Sequence, residues 1–381
     1  MEQKKKVFVG MSGGVDSSVS AALLKEAGYE VVGVFIKVWQ ADFLPCTWRE
    51  ERREAMRVAG HLGIPFLTLN LEKEYKQEVV DYMIREYSEG RIPNPDIMCN
   101  KYVKFGAFFD FARAHGADFI ATGHYAQIVE EDNRKLTQTK REPTQTKVFK
   151  LLKSEDNEKD QTYFLWTLTE RELAHTLFPI GHLKKSEVRV LAEKFGLPNA
   201  DKKDSQGICF IGMVDMADFL QHYLKTQKGD VLDQEGNVIG THDGAMLYTI
   251  GQRRGFTVHN KHTDETPYFV ITKNITANTI TVAHHDSGEM QKGQSKIFLG
   301  HLNLRPHQGK LTARMRHRGE LLPVTLEVNN DDNTQGIAQF ETPRTDFAPG
   351  QSLVFYDGDE CVGGAIIENF EDKPQLRYNY L

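Results

Sequence analysis

A glycine-rich turn joins the first strand of the chain to its first helix, and this junction limits the fold more than any other feature. The strand is Lys6–Gly10 (KVFVG), the turn reads MSGGVDS, and the helix follows over Ser17–Ala27 until Gly28 ends it. An apolar strand that leads directly into a helix is typical of a parallel sheet covered by helices. The first part of the chain is therefore predicted to be an α/β domain.

The same alternation of strands and helices continues to about residue 125. Further strands are predicted at Val31–Val38, Pro65–Leu71 and Asp118–Thr122, and further helices at Arg49–Leu62, 73–89 and Val103–His115. This order predicts a mostly parallel, Rossmann-like sheet with right-handed crossovers, in which ligands bind at the C-terminal ends of the strands.

The second half of the chain has a different pattern, with short β segments separated by Gly and Asn turns. A chain of 381 residues is also longer than one ordinary domain. We therefore predict an α/β domain over residues 1–212, a small central module over 213–290, and a C-terminal β-barrel or sandwich over 291–381. The polar stretch 132–147 contains TQTK twice and is predicted to be an exposed hairpin or loop.

Charge and cysteine content limit the possible partners and the cellular compartment of the protein. The formal net charge is −6, which by itself speaks against a nucleic-acid partner, but His301–Glu320 holds five basic residues and one acidic residue. This run is equally compatible with an ordinary solvated strand face. Four cysteines are too few for a disulfide scaffold, and neither a signal peptide nor a long apolar run is visible. A cytoplasmic protein without membrane attachment is expected, and the histidine spacing predicts no metal site.

The turn after the first strand has the composition of a phosphate-binding loop. Two adjacent glycines allow close backbone approach, the helix that follows offers unpaired N–H groups, and Asp16 could help to hold Mg²⁺ on a polyphosphate. The sequence lacks the Gly-Lys-Ser/Thr of a Walker loop and the spacing of a dinucleotide fingerprint. The alternative is an ordinary glycine-rich turn without a ligand.

Two cysteines lie in unusual surroundings. Cys99 follows Pro93 and Pro95 in NPDIMCN and lies three residues after Asp96, so both are expected on a loop or at the start of the next helix. Cys209, in DSQGICFIG, lies between apolar residues, where a core position is the more common alternative. Together the two thiols could carry and release sulfur as a persulfide and a disulfide.

These motifs resemble known families. SGGVDSS is similar to the PP-loop of the N-type ATP pyrophosphatases, and PNPDIMCNKYVKFG and KKDSQGICFIG resemble the two cysteine motifs of the bacterial tRNA-specific 2-thiouridylases. Further blocks of the same family are ATGHYA, KDQTYFLWTL, LYTIGQRRG and PGQSLVFYDGDECVGGAIIE, so that the resemblance covers about residues 6–370 in order. It implies a C-terminal β-barrel that contacts tRNA. Residues 35–39 read FIKVW where many relatives have FMKNW, so Ile36 replaces a Met and Val38 replaces an Asn.

The resemblance implies a role for each matched residue. Asp96 would be a general acid/base acting on the substrate, Cys99 the nucleophile and Cys209 the persulfide carrier. The residues implied to bind ATP are Gly10, Met11, Ser12, Gly13, Gly14, Val15, Asp16, Ser17, Ile36 and Gly123. The residues implied to contact tRNA are Asn94, Pro95, Asp96, His124, Lys159, Asp160, Gln161, Arg316, His317 and Gln351.

The resemblance also implies a reaction. ATP would adenylate O2 of the wobble uridine of tRNAs for Lys, Glu and Gln, and sulfur from a separate persulfide donor would replace the oxygen, through free sulfide or an attacking persulfide. Cys99 needs help to ionise, and a helix beginning near Lys101 or Val103 could supply it. Two alternatives are an ATP-dependent ligase for a small metabolite and a non-catalytic RNA-binding protein. Neither accounts for the paired cysteines beside an intact phosphate loop.

Overall fold

The structure, a computed structural model, describes residues 4–133, 146–204, 209, 216–259, 266–284, 293–345 and 347–368. These residues form a parallel sheet with helices, a small mixed sheet and a large antiparallel sheet, in that order along the chain. The predicted fold class, an α/β domain followed by a small module and a β-barrel, is confirmed. No helix in the described ranges has the length and apolar character required to cross a membrane.

The first sheet is parallel throughout, with strand order β3-β2-β1-β4-β7. Its strands are β1 (Lys6–Gly10), β2 (Glu30–Lys37), β3 (Phe66–Asn70), β4 (Phe119–Ala121) and β7 (Thr176–Leu177). The central strands β1 and β2 are apolar on both faces because helices cover both sides of the sheet. The chain order reverses between β1 and β4, so a crevice is expected at the carboxyl ends of these two strands.

The helices of this domain occur at all four predicted positions, one of them with a different start, and include two further helices, the last two along the chain, that were not predicted. They are α1 (Val15–Glu26), α2 (Trp48–Leu62), α3 (Glu72–Tyr75), a π-helix (Lys76–Asp81), α4 (Tyr82–Ser88), α5 (Pro95–Met98), a second π-helix (Cys99–Phe108), α6 (Phe109–Ala114), α7 (Glu170–Leu173) and α8 (Lys185–Lys194). The predicted helix Val103–His115 in fact begins at Pro95. Proline is compatible with this position because the first N–H of a helix has no intrahelical partner.

A hairpin of the α/β domain extends the C-terminal barrel. It consists of β5 (Ala126–Asn133) and β6 (Thr146–Lys153), which carry the ends of the polar stretch 132–147, while residues 134–145 lie outside the described residues. Strand β6 pairs with the last strand of the barrel through Leu152 and Glu360. The α/β domain and the barrel therefore share one continuous sheet.

The remaining described elements belong to the central module and the barrel. The central module contains α9 (Met216–Gln221), a 3₁₀ turn (Ala245–Leu247), β8 (Gly229–Leu232), β9 (Val238–His242), β10 (Phe256–Val258), β11 (Tyr268–Asn274) and β12 (Thr279–His284). The barrel contains β13 (Gln294–Leu304), β14 (Thr312–Arg314), β15 (Leu322–Val328), β16 (Gly336–Arg344), β17 (Ser352–Asp357) and β18 (Glu360–Ile367). Pairing of β13 with both β16 and β18 closes the barrel.

A buried ion pair joins the barrel to the α/β domain. Arg314 of β14 donates from Nη1 to Asp160 Oδ2 at 2.9 Å, and Asp160 is only 2% exposed. Thr162, at the start of a 3₁₀ turn (Thr162–Phe164), donates its hydroxyl to the same carboxylate and lies 3.2 Å from the Tyr356 hydroxyl. A buried carboxylate with these partners fixes the relative position of the two domains.

We expect Arg314→Met to leave Asp160 buried without its cationic partner. Removing one member of a buried pair typically costs about 3 kcal/mol, so the first thermal unfolding transition of the full chain should move to lower temperature. Differential scanning calorimetry measures this. Lys310→Met, an exposed change just before β14, is the control, and equal melting temperatures for the two variants would contradict a structural role for the pair.

Candidate active site

The glycine-rich turn lies at the carboxyl end of β1, where the sheet topology predicts a ligand site. Gly13 has a φ of +76°, and a Cβ there would lie 2.6 Å from Glu51 O, so both conformation and space require glycine. Ser12 Oγ accepts a bond from Gly14 N (3.3 Å), and Ser17 Oγ accepts one from Ser12 N (3.3 Å). Helix α1 has no side-chain cap, so its first N–H groups remain available to an anion.

Two polar side chains beyond the turn bond to it, and the sequence analysis did not single them out. Asn199 Nδ2 donates to Gly13 O and to Ser18 Oγ, both at 3.0 Å. Lys202 Nζ donates to Gly13 O at 3.3 Å and forms an ion pair with Glu54. Lys202 thereby adds positive charge beside the turn, as a phosphate site requires.

Asp16, predicted to help to hold Mg²⁺, lies in a network of charged groups. Tyr125 donates its hydroxyl to Asp16 Oδ1 (2.9 Å), and Lys185 Nζ lies 2.8 and 2.9 Å from the two carboxylate oxygens. Lys185 also pairs with Asp204 at 2.8 Å. Burial raises the pKa of Asp204, but hydrogen bonds from Lys185 and Lys159 outweigh it and lower the pKa to about 2. Lys185 therefore has a second anionic partner when Asp16 binds another cation.

A second polar cluster surrounds the start of the helix that begins at Pro95. Asn94 caps this helix by accepting a bond from Ile97 N (3.3 Å), and Asp96 lies in its first turn. Asp96 Oδ1 accepts a bond from Cys209 N at 2.8 Å, and Tyr75 donates its hydroxyl to Cys209 O at 2.7 Å. These two bonds hold the residue from the second cysteine motif against the first motif.

The two thiols form a hydrogen-bonded pair, and both are free. Cys99 is fully buried, and burial together with the neighbouring Cys209 raises the pKa of its thiol well above the ordinary value. The hydrogen bond from Cys99 and the charge of Lys104 lower the pKa of the half-buried Cys209 to about 7, although burial opposes this. Cys209 is thus the more readily ionised thiol of the pair. The helix N-terminus predicted near Lys101 or Val103 lies instead at Pro95, so Cys99 follows the first turn of the helix.

The dipeptide Gly123-His124 connects the phosphate loop to the thiol pair. A Cβ on Gly123 would lie 2.7 Å from Ser17 N, so the backbone that follows β4 directly contacts the end of the loop. His124 accepts or donates a bond with Thr122 Oγ1 (2.7 Å) and lies 3.5 Å from Lys104 Nζ. Burial lowers the pKa of His124 well below its ordinary value, so its imidazole is neutral. Chemistry at a phosphate on the loop and chemistry at the two thiols can therefore occur in one crevice.

Comparison with known proteins gives matches along nearly the whole chain. The family model described as the tRNA methyl transferase HUP domain matches residues 5–213, followed by its PRC-barrel domain over 217–284 and the aminomethyltransferase beta-barrel domain over 294–367. The tRNA-specific 2-thiouridylase MnmA of Enterococcus faecalis is 42% identical over 98% of each chain. That of Lactococcus lactis is 45% identical over 95% of this chain and 94% of the relative.

The chain belongs to the tRNA-specific 2-thiouridylase family. The members of this family are sulfurtransferase enzymes. Among solved structures, the U34-tRNA thiolase NcsA from Methanococcus maripaludis is 14% identical, with a TM-score of 0.36 over 58% of this chain and 65% of that chain.

Two barrel residues implied by the family resemblance contact segments next to the thiol-bearing helix. Gln351 donates from Nε2 to Ile92 O at 2.8 Å, two residues before Asn94. The His317 ring lies 4.6 Å from the Phe164 ring, and Phe164 O accepts a bond from Asn100 Nδ2 at 3.0 Å. His317 and Gln351 thus bring the barrel next to the thiol-bearing helix. Their contact with tRNA stays a prediction.

Other implied residues have structural partners that limit what their side chains can reach. Asp160 is buried in the ion pair with Arg314, and Gln161 Oε1 accepts a bond from Tyr125 N at 2.9 Å. Lys159 pairs with Asp204 at 2.9 Å. The side chains of Met11, Val15 and Ile36 are at most 6% exposed and pack in the core, so these residues present only backbone to a ligand.

The basic run of the barrel divides into two groups. Arg305 donates to Leu168 O at 2.7 Å and to Cys361 O, and Arg314 pairs with Asp160, so both stabilise the domain interface. Lys310, Arg316 and Arg318 are exposed. Only this second group offers positive charge to a partner. In the described part of the chain no cluster of His, Cys, Asp or Glu is suited to hold a metal ion.

We expect mild oxidation to join Cys99 to Cys209, because the two sulfurs are in contact. Diamide should remove the two thiol hydrogens and link the tryptic peptides 92–101 and 204–225, which carry these two cysteines. Non-reducing peptide mapping by mass spectrometry detects the link. Cys209→Ser is the control, and a preferred link to Cys46 or Cys361 would show that the observed pairing is incorrect.

Proposed function

We propose that the protein catalyses ATP-dependent 2-thiolation of the wobble uridine of tRNA, giving 2-thiouridine, AMP and pyrophosphate. The observation that carries the proposal is the contact between Cys99 and Cys209, with Asp96 bonded to Cys209, next to a loop suited to phosphates. Full-length relatives named tRNA-specific 2-thiouridylase support tRNA as the substrate. A ligase for a small metabolite requires neither thiol.

ATP would bind on the loop Gly10–Ser17, with its phosphates at the N-terminus of α1. Gly13 and Gly123 leave the space that a Cβ would fill, and Lys202 adds a positive charge, so the residues present fit a polyphosphate. The Mg²⁺ that accompanies ATP would be held by the carboxylate of Asp16, whose oxygens are the ligand type that this ion prefers. The ion neutralises phosphate charge and makes pyrophosphate a better leaving group.

Asp96 would act as the general acid/base on the uridine. Burial raises the pKa of Asp96, although the backbone bond from Cys209 opposes this. A carboxyl whose pKa moves toward neutrality transfers protons more effectively near pH 7. Adenylation would then convert O2 of the base into a leaving group, as AMP. The target base lies in an anticodon loop, where it can turn outward without opening a duplex.

The sulfur step would use the two cysteines in sequence. Cys209 carries a persulfide, Cys209–S–SH. In one route Cys99 Sγ attacks Cys209 Sγ and its proton passes to the departing outer sulfur, which forms the disulfide and releases hydrosulfide, and hydrosulfide displaces AMP from C2. In the other route the outer persulfide sulfur displaces AMP first, and Cys99 then attacks Cys209 Sγ to release 2-thiouridine. Both routes end with a Cys99–Cys209 disulfide, which a thiol reductant must reduce before the next turnover.

Two partners would complete the reaction. The tRNAs for Lys, Glu and Gln would be the acceptors, bound between the thiol-bearing helix and the barrel through Asn94, Pro95, His124, His317 and Gln351, with Arg316 on the phosphate backbone. Lys159, Asp160 and Gln161 would support this interface from the domain junction. A separate protein would supply the persulfide.

Incubation of unmodified lysine tRNA with the protein, Mg-ATP and glutathione persulfide should produce 2-thiouridine at the wobble position. Nucleoside mass spectrometry measures the product. Cys99→Ser should form no product from the persulfide. Free sulfide should replace the persulfide for the wild-type and Cys209→Ser proteins in the first route and for neither protein in the second, because sulfide forms no persulfide on Cys209 without an oxidant. Absence of product from the wild-type protein, together with pyrophosphate release on adding a small metabolite, would favour a ligase instead.

We expect Gly123→Ala to abolish ATP binding while the fold is retained. The added Cβ would lie 2.7 Å from Ser17 N and 2.8 Å from Asp16 C, and both neighbours are backbone atoms that cannot move aside without displacing the loop. Isothermal titration calorimetry with Mg-ATP measures the affinity. Gly60→Ala in α2 is a matched control, since no atom lies within 4 Å of its added Cβ. Unchanged affinity in Gly123→Ala would place the nucleotide elsewhere.

A further inference from the structure

A half-buried lysine contacts the thiol pair, and the roles proposed above do not include it. Lys104 lies five residues after Cys99 in the π-helix Cys99–Phe108. In an α-helix, residues five apart point in clearly different directions, whereas the i→i+5 bonding of a π-helix brings them toward one face. The wider helix therefore carries both Cys99 and Lys104 to the same side, facing Cys209.

The contacts of Lys104 explain why a cation is retained in this place. Lys104 Nζ donates to Asn100 Oδ1 at 3.0 Å, lies 3.5 Å from His124 Nε2, and bonds to the Cys209 sulfur. The amide of Asn100 and the neutral imidazole of His124 carry no negative charge. The Cys209 sulfur can become an anion, and Asp96 also acts on Lys104. A neighbouring negative group stabilises an ammonium that is partly removed from water, so the contact with Lys104 favours a thiolate on Cys209.

Among the described residues, each ionisable group that acts on the Cys209 sulfur can be assigned an effect. Cys99 donates a hydrogen bond and Lys104 contributes positive charge, and both favour the thiolate; Asp96 disfavours it, and burial does so as well. Tyr75 stays protonated, because burial raises its pKa well above the ordinary value. Burial lowers the pKa of Lys104, but the two sulfurs and Asp96 outweigh it and raise the pKa above its ordinary value. Lys104 is thus charged whenever Cys209 is.

We propose that Lys104 holds Cys209 as a thiolate, and then the outer sulfur of its persulfide as an anion, so that Cys209 rather than Cys99 accepts sulfur from the donor. This inference rests on the proposed function. The Cys209 thiolate attacks the outer sulfur of a donor persulfide, R–S–SH, and the S–S bond of the donor breaks. The donor leaves as the thiolate R–S⁻, and Cys209–S–SH remains, so no external oxidant or reductant takes part.

The first test measures ionisation of Cys209 without tRNA or ATP. Iodoacetamide labelling is followed from pH 5.5 to 10 on the tryptic peptide 204–225, which contains no other cysteine. In the wild-type protein the labelling rate should increase with pH along a titration curve whose midpoint lies near pH 7, because only the thiolate reacts and its fraction is one half at the pKa. In Lys104→Met the midpoint should move up by at least one pH unit, with an approximately tenfold slower rate at pH 7.

Conservative and neighbouring variants separate charge from structure. Lys104→Arg should keep the midpoint close to the wild-type value, whereas Lys104→Gln should raise it as Lys104→Met does. Lys101→Met, on an exposed residue of the same helix, should leave the midpoint unchanged. If Lys104→Met fails to fold, the comparison of Lys104→Gln with Lys104→Arg replaces it. A wild-type midpoint of about 8.5 or above, the value of a free thiol, overturns the inference without any variant, and so does a midpoint in Lys104→Gln equal to the wild-type value.

The second test measures where sulfur is loaded. Cys99→Ser, which cannot resolve the persulfide, is incubated with glutathione persulfide, and the added sulfur is mapped on the peptide 204–225. Loading at pH 7 should fall about tenfold when Lys104→Met is added. Unchanged loading contradicts the role of Lys104. If the wild-type protein makes no 2-thiouridine but its Cys209 midpoint is low and depends on Lys104, the proposed function fails while the assignment of Lys104 as the thiolate partner stands.

Discussion

The hydrogen bond from Cys209 N to Asp96 Oδ1 is the interaction on which the candidate site depends. It joins residues 113 positions apart, and with the bond from Tyr75 to Cys209 O it brings the second thiol onto the first. Backbone groups supply both bonds on the Cys209 side, so the position of the thiol does not depend on its own protonation. In the proposed mechanism, the sulfur would gain, hold and release a second sulfur atom while its main chain stays fixed.

The two halves of the proposed reaction are connected through very few atoms. Gly123 contacts the phosphate loop and the adjacent His124 contacts Lys104, which in turn bonds to Cys209. Neutral His124 lies between the predicted phosphate loop and the Lys104 ammonium without adding a charge to either. In the proposed reaction, this short path would bring an adenylated base and an incoming sulfur close together. It also explains why a strand as short as β4 ends at the centre of the site.

Much of the architecture could be predicted from sequence, because strand and helix periodicity and the turn SGGVDSS are local signals. The start of the thiol-bearing helix could not be predicted, because Pro93 and Pro95 indicate that a helix is interrupted there. In the structure Pro95 is the first residue of the helix, a position that tolerates proline. Lys104 was inside a quoted motif but had no signal of its own, because its partners are assembled by a π-helix and a distant segment. Asn199, Lys185 and Lys202 were missed for the same reason. The family motifs indicate a group of residues that contact tRNA. Only tertiary contacts show that Asp160, one of this group, is buried in an ion pair with Arg314.

The contact between the barrel and the loop before Asn94 has a consequence for how such proteins diverge. Gly350 has a φ of +89°, and a Cβ there would lie 2.8 Å from Ile92 N; the next residue, Gln351, bonds to Ile92 O. The barrel therefore sets the position from which the thiol-bearing helix starts, in addition to any surface it offers to RNA. A chimaera that exchanged barrels between relatives would have to preserve a glycine at this point of contact. The two domains are thus constrained to evolve as a pair, even though each has its own hydrophobic core.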